Sequence, residues 1–173
     1  MSKKDTIHFI MTGGTIDSYY EATKDTAVVN KESVIPNYIK SLKLYEKLEF
    51  TEVCLKDSRE LRKRDLQMIL NAVKNSKSKK IIITHGTYTM PDTARYLKAN
   101  LRTYDQVIIL TGSMIPLVGF APSDAPFNLG YAIATIQHLA PGIFVAMNGR
   151  LFLPEEVLKV LYSGRFSSIF NKH

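Results

Sequence analysis

Two threonines lie where apolar segments of the chain end, and both have glycine neighbours. Thr15 belongs to the segment Thr-Gly-Gly-Thr-Ile at 12–16, and Thr87 belongs to Thr-His-Gly-Thr-Tyr-Thr-Met at 84–90. A threonine hydroxyl becomes a nucleophile when a neighbouring base takes its proton, and glycine lets backbone N–H groups approach a developing oxyanion closely. The pattern therefore fits acyl-transfer chemistry at Thr15 and Thr87. It fits equally well a glycine-rich turn whose threonines only cap helices.

The elements that position these threonines follow a regular alternation. Apolar runs predict five strands, at 7–11, 49–55, 81–83, 107–110 and 143–147. Amphipathic segments and turn formers predict helices between them, at 33–45, 65–73, 93–101 and 128–139. Continuous apolar strands separated by helices indicate a parallel sheet covered on both faces. We therefore expect an α/β fold, a three-layer αβα sandwich with a mainly parallel, Rossmann-like sheet whose carboxyl edge binds the ligand.

Length and composition indicate one domain. With 173 residues, of which 45% are hydrophobic, the chain can bury a sizeable core, and we expect residues 1–173 to form a single domain. No apolar run reaches the roughly 18 residues of a membrane span, and the N-terminal residues lack the apolar region of a signal peptide. Cys54 is the only cysteine, so an intrachain disulfide is excluded. We therefore expect a cytoplasmic protein without a membrane partner.

The net charge of +7, from 23 Lys and Arg against 16 Asp and Glu, raises the question of an acidic partner. The basic residues concentrate at 59–64, at 74–80 and at the N-terminus, without interleaved aromatic residues. That distribution is typical of solvated helix faces and argues against a nucleic-acid partner. The histidines show no metal-ligand spacing, and Gly13-Gly14 begins neither a phosphate loop nor a dinucleotide fingerprint. We expect no metal and no cofactor.

A set of motifs in fixed order gives these patterns a more specific meaning. It resembles the N-terminal domain of bacterial-type L-asparaginases, and its motifs lie at 12–16, 56–59, 84–90, 111–116, 123–129 and 147–150. Several ordered motifs at strand ends are far more specific than any one of them. Because the family carries a C-terminal domain that this sequence lacks, the chain resembles short, single-domain relatives.

The resemblance implies roles for individual residues. Thr15 matches the nucleophilic threonine, Thr87 the second catalytic threonine, and Ser58 a serine that binds the substrate α-carboxylate. A tyrosine in the loop after the first motif assists the nucleophile, and Tyr19 or Tyr20 is available for this, although neither has the usual spacing. We take Tyr19 as the third catalytic residue. The remaining substrate-binding residues implied by the motifs are Gly14, Asp57, Gly86, Tyr88 and Asp124.

The sequence also departs from the family pattern at two positions. Tyr88 replaces the aspartate that binds the substrate amine and joins the catalytic relay, and no lysine is found between 100 and 149, where the family lysine is expected. Asp92, Asp57 and Asp17 adjoin the motifs as replacements, although Asp92 after Pro91 also fits a first-turn helix charge. Tyr88 itself can donate a hydrogen bond to a bound carboxylate, which would shift the preference toward substrates without an ammonium group.

These observations favour an amidohydrolase that cleaves a small side-chain amide, L-asparagine or a related compound, through a threonine nucleophile with weak or altered activity. The alternative is a non-catalytic protein that binds a small carboxylate or amide in the same pocket. The long aperiodic segment at 17–31 beside the first motif suggests a lid. Apolar residues at 151–153 and 165–170 are available for self-association or for burial, and we expect a homo-oligomer, most simply a dimer.

Overall fold

Apolar runs of the sequence form the strands of a central sheet in the computed structural model, which describes residues 6–170. The strands, in chain order, are β1 (Thr6–Gly13), β2 (Ser18–Glu21), β3 (Thr26–Val29), β4 (Lys47–Lys56), β5 (Lys80–Thr84), β6 (Val107–Thr111), β7 (Gly142–Met147), β8 (Arg150–Phe152), β9 (Val157–Val160) and β10 (Arg165–Ser168). The helices are α1 (Ile35–Ser41), α2 (Lys63–Asn75), α3 (Met90–Asn100) and α4 (Ala125–Thr135).

The central sheet has the strand order β4-β1-β5-β6-β7-β8. Neighbouring strands from β4 to β7 are parallel, and the short edge strand β8 pairs antiparallel with β7. The prediction of a mainly parallel sheet is therefore confirmed. The other strands form two separate antiparallel hairpins, β2-β3 and β9-β10.

Side chains of successive strand residues alternate between two apolar cores, one on each face of the sheet. In β5, Ile81 and Ile83 belong to one core, whereas Ile82 belongs to the other. Helices α2 and α3 pack into the first core, and α1 and α4 pack into the second. Because a strand with two buried faces is apolar at every position, the continuous isoleucine run follows from this arrangement. The predicted three-layer αβα sandwich is confirmed.

Helix boundaries differ from the predicted ones for local reasons. Helix α1 ends at Ser41, earlier than predicted, and Lys43 just beyond it has a φ of 52°, which a continuing α-helix does not allow. Helices α3 and α4 begin earlier than predicted, and each has a proline, Pro91 or Pro126, in its first turn. A proline is tolerated there because the first N–H groups have no partner within the helix.

The two hairpins were not predicted. The segment 17–31, expected to be an irregular lid, contains the β2-β3 hairpin, in which Ser18 pairs with Val29. The β9-β10 hairpin follows the sheet, and Phe166 from it lies in the core beneath α3. Both hairpins become important for the site described below. None of the helices in residues 6–170 is long and apolar enough to cross a membrane.

Candidate active site

Three loops meet at the carboxyl edge of the sheet because their strands are neighbours. Strand β1 lies between β4 and β5, so the loops after these strands bring Thr15, Ser58 and Thr87 to one place. They enclose a cavity of about 170 Å³ lined by Gly14, Thr15, Asp57, Ser58, Arg59, Gly86, Thr87, Tyr88 and Lys159. The fold thus gathers seven of the nine residues that the sequence singled out, together with Arg59 and Lys159.

Two glycines allow these loops to touch. Gly14 has a φ of 80° and a ψ of −177°, a conformation that is essentially restricted to glycine. Its N–H donates to the Lys56 carbonyl at 2.8 Å, and a Cβ on Gly14 would lie 2.3 Å from the backbone N and Cα of Gly86. A Cβ on Gly86 would in turn lie 2.6 Å from Cβ of Ser58. The glycines are therefore required for the close approach that places Thr15 beside Thr87.

A lysine contacts the second threonine. Nζ of Lys159 donates a hydrogen bond to Oγ1 of Thr87 at 2.7 Å, and Thr87 is buried. The sequence has no lysine between 100 and 149, where the family lysine was expected, yet a lysine does reach the site. That expectation considered only residues between 100 and 149, whereas the lysine arrives from β9, further along the chain.

The β9-β10 hairpin holds Lys159 in place through contacts on both sides. Val157, which lies two residues earlier on the same strand face, is buried in the core, and its carbonyl accepts a hydrogen bond from Nη2 of Arg95 at 2.6 Å. Lys159 pairs with Phe166 across the hairpin, and the Phe166 N–H donates to the Asn148 side chain at 2.9 Å. The sequence feature that marks this position is a lysine inside the otherwise apolar run 157–160.

Burial and neighbouring charge both act on the lysine. Burial lowers the pKa of Lys159, and the positive charge of Arg59 lowers it further, while Asp57 acts in the opposite direction. A lower pKa increases the fraction of neutral amine, which is the form that accepts a proton. Thr87 and Lys159 together thus have the arrangement of a hydroxyl with an adjacent base.

Asp57 and Arg59 form a charged pair on the wall of the cavity. Oδ2 of Asp57 accepts from Nη2 of Arg59 at 2.6 Å, and Oδ1 accepts from Nε at 3.0 Å. The same Oδ1 accepts from the Arg59 backbone N–H at 2.9 Å. These hydrogen bonds hold the pKa of the Asp57 carboxyl below its ordinary range. The Asp57 carboxylate is therefore ionised, and both of its oxygens already accept hydrogen bonds from Arg59. It is a poor candidate for a general base.

Ser58 and Tyr88 supply hydroxyl groups to the cavity. Ser58 is buried, and its Oγ accepts from the Thr89 N–H at a long 3.4 Å, so the hydroxyl keeps its capacity to donate. The Thr89 hydroxyl donates to the Ser58 carbonyl at 2.9 Å, which ties the second and third loops together. Tyr88 is half-exposed at the mouth of the cavity. Both hydroxyl groups can donate hydrogen bonds.

Two of the sequence-predicted site residues do not line this cavity. The Tyr19 hydroxyl donates to Oε2 of Glu21 at 3.1 Å on the exposed β2-β3 hairpin. The carboxylate of Asp124 accepts from the backbone N–H groups of Met114 and Ile115 and from the Asn128 side chain, each at 3.0–3.1 Å. These contacts fix the loop that leads into α4. The participation of Tyr19 and Asp124 in the site stays a prediction without a contact in this structure.

The aspartates considered as replacements have other partners. Asp92 lies in the first turn of α3 and pairs with Arg95 at 3.1 Å, which agrees with a first-turn helix charge. Oδ1 of Asp17 is buried and accepts from the Val34 N–H at 2.8 Å. Asp57 is paired with Arg59 as described above. Among these ionisable groups, Lys159 is the one that contacts Thr87.

His85 lies at the start of the loop that follows β5, next to Gly86. Its Nδ1 lies 2.8 Å from the Gly86 carbonyl, which only accepts, so Nδ1 carries the proton and donates. The unprotonated Nε2 then accepts from the Thr93 hydroxyl at 2.9 Å. Complete burial lowers the pKa of His85 to about 4. A neutral imidazole with both nitrogens occupied supports the loop and is unsuited to proton transfer. Within residues 6–170, no three His, Cys, Asp or Glu side chains are grouped to hold a metal ion.

Fold and site together define an α/β protein with a threonine-lined cavity at the carboxyl edge of a parallel sheet. The family model for the N-terminal domain of asparaginase matches residues 6–169. The chain therefore belongs to the asparaginase family. The resemblance seen in the motifs is thereby confirmed.

Relatives and solved structures show the same similarity over most of the chain. The glutaminase-asparaginase of Acinetobacter glutaminasificans is 29% identical over 169 residues, covering 90% of this chain and 50% of that protein. The thermostable L-asparaginase from Thermococcus kodakarensis superimposes with a TM-score of 0.82 at 29% identity, covering 96% of this chain and 52% of that one. A probable cytoplasmic L-asparaginase from Campylobacter jejuni gives 0.80 at 26% identity, covering 95% and 53%. The chain thus spans about half the length of these relatives.

Proposed function

We propose that the protein is a threonine amidohydrolase that releases ammonia from a small carboxamide. The observation that carries the proposal is the hydrogen bond from Nζ of Lys159 to Oγ1 of Thr87, at 2.7 Å, in a cavity that Thr15 also lines. A hydroxyl with a partly desolvated amine beside it is an activated group. The second hydroxyl supplies a separate nucleophile within the same cavity.

The proposed reaction has two steps. Oγ1 of Thr15 attacks the amide carbon, the carbon–nitrogen bond breaks, and ammonia leaves with the proton that the hydroxyl gave up, so an ester to Thr15 remains. In the second step Thr87 and Lys159 take a proton from water, whose oxygen attacks the ester carbon. Thr15 regains its proton, and the acid is released. The sum is amide plus water giving acid plus ammonia.

Replacing Thr15 with alanine should abolish turnover. We expect ammonia release to fall by about 10³-fold or more in the Thr15→Ala variant, because the ester cannot form. The measurement is ammonia production from asparagine, glutamine and simple amides without an α-amino group. Thr103→Ala, which removes an exposed threonine away from the cavity, is the matched control and should keep the wild-type rate.

The same experiment tests the alternative that the protein only binds its ligand. Wild-type protein that releases no ammonia from any of these amides, while it binds a small carboxylate, would show a binding protein. Equal turnover by wild type and Thr15→Ala would instead exclude Thr15 as the nucleophile.

We also propose that the protein self-associates as a dimer. Of the apolar residues considered for an interface, Phe152 and Phe166 are buried in the core, whereas Leu153, Ile169 and Phe170 are exposed. Exposed apolar side chains favour association with another protein surface. Light scattering at micromolar concentration should give the mass of a dimer, and a monomeric mass would contradict the proposal.

A further inference from the structure

The wall of the catalytic cavity holds more basic than acidic side chains. Its charged lining residues are Asp57, Arg59 and Lys159. The arginine is permanently protonated at the pH values at which proteins are handled. A ligand that enters the cavity therefore meets two basic side chains and a single carboxylate.

That carboxylate is already engaged. Both oxygens of Asp57 accept hydrogen bonds from the Arg59 guanidinium, at 2.6 and 3.0 Å. A ligand ammonium group would have to displace these charge-assisted hydrogen bonds to pair with Asp57. It would also lie near the permanently charged Arg59, whose like charge repels it. The charges of the cavity thus disfavour a cationic group on the substrate.

The neutral donors on the wall have the opposite preference. Tyr88 is 54% exposed and lies at the boundary between this cavity and a neighbouring one of about 300 Å³. Its phenol hydroxyl can donate a hydrogen bond to an anion, as the Ser58 hydroxyl can. The acidic residue Glu60 lines the adjoining cavity of about 520 Å³ on the side of the β2-β3 hairpin, and not the catalytic cavity. Because its hydroxyl groups donate and its one carboxylate is already paired, the catalytic cavity favours a bound carboxylate.

We propose that the site selects monoamides of dicarboxylic acids without an α-ammonium group, such as succinamate, over amino acid amides such as asparagine. This inference rests on the proposed amidohydrolase function and specifies its substrate class. Arg59, Ser58 and Tyr88 hold the free carboxylate, which leaves the amide carbon facing Thr15. Hydrolysis then gives the dicarboxylate and ammonia.

The test compares three amides and two products. Succinamate carries only the carboxylate, asparagine carries both charges, and β-alaninamide carries only the ammonium. We expect kcat/KM for succinamate to exceed that for asparagine by at least about tenfold, and β-alaninamide to be the poorest substrate. Calorimetry with the products succinate and L-aspartate measures the same charge preference without requiring turnover, and succinate should bind at least about tenfold more tightly.

Two variants of Tyr88 separate charge from shape. Tyr88→Asp places a carboxylate at the cavity mouth and should move the ratio of kcat/KM values about tenfold toward asparagine. Tyr88→Asn introduces a side chain of the same size as aspartate but without its charge. The ratio in this variant should stay within about threefold of the wild-type ratio. Glu60→Gln should also leave the ratio unchanged, because Glu60 lies outside the catalytic cavity.

The outcomes for the two proposals are distinct. A wild-type preference for asparagine, or equal binding of succinate and L-aspartate, would overturn the substrate inference even if ammonia is released. Loss of the asparagine reaction in Glu60→Gln would overturn it as well, since Glu60 would then hold the ammonium. No ammonia from any of the three amides would overturn the amidohydrolase proposal, and the two product affinities would then decide the charge preference alone.

Discussion

Replacing Lys159 with methionine is expected to lower kcat by about 10²–10⁴-fold, the usual contribution of general acid–base catalysis. The amine lies 2.7 Å from Oγ1 of Thr87 and is the base that the proposed second step requires. Methionine keeps an unbranched apolar chain of similar length, so the packing of β9 against α3 should survive. The measurement is steady-state ammonia release, with thermal unfolding to show that the variant is folded.

Lys159→Arg is the matched control for charge. Arginine keeps a positive group near Thr87, yet its guanidinium does not give up a proton in proteins. If the lysine acts by accepting a proton, both variants should be similarly inactive. If Lys159→Arg instead keeps most of the wild-type rate, the lysine acts only through its charge, and the proposed relay is wrong.

The pH dependence provides a second readout of the same residue. Proton acceptance requires the neutral amine, so kcat should rise with pH as Lys159 loses its proton. Burial and Arg59 lower the pKa of Lys159, which places this rise below the range of an ordinary lysine. The rise should disappear in Lys159→Arg, because arginine does not titrate there. A rise that persists in this variant would assign it to another group.

The central sheet could be predicted from the sequence because its signal is local. Each parallel strand is buried on both faces and is therefore a short apolar run, such as 81–83, that is visible without any knowledge of its partners. The same reasoning places Thr15 and Thr87 at the carboxyl edge, because each follows such a run directly. The predicted helix starts were less accurate, since α3 and α4 begin before the predicted residues, each with a proline in its first turn.

Lys159 could not be predicted from spacing because it reaches Thr87 across 72 residues of sequence. Its position depends on how the β9-β10 hairpin packs against α3, and in particular on the contact between Arg95 and the Val157 carbonyl. Such a contact leaves no periodic trace in the sequence. Tyr19 is the opposite case, because it is close to the first motif in sequence but does not line the cavity. Its sequence position does not determine which way its side chain points from the hairpin.

Gly14→Ala is expected to destabilise the protein by roughly 2–6 kcal/mol, a large part of the stability of a typical domain. An alanine at a φ of 80° with an extended ψ adopts a conformation that is essentially restricted to glycine. In addition, its Cβ would lie 2.3 Å from backbone atoms of Gly86. Backbone atoms cannot rotate away as a flexible side chain does, so the loops carrying Thr15 and Thr87 must separate.

Gly119→Ala separates these two causes. Gly119 has nearly the same φ, +84°, but a Cβ there would meet nothing within 4 Å. We therefore expect Gly119→Ala to cost only the backbone strain, about 1–2 kcal/mol. Urea unfolding measures both values, and the difference between them reports the contact between Gly14 and Gly86 together with the strain of the extended ψ at Gly14.

The effect on activity should differ even more than the effect on stability. Displacing a catalytic group by about 1 Å can cost about 10²-fold in rate, so folded Gly14→Ala should lose most of its kcat/KM, whereas Gly119→Ala should keep it. Equal losses of stability in the two variants would show that the loops yield to a methyl group at no cost. In that case the position of Thr15 relative to Thr87 would not depend on the glycine contact, and the cavity would be more deformable than its close backbone packing implies.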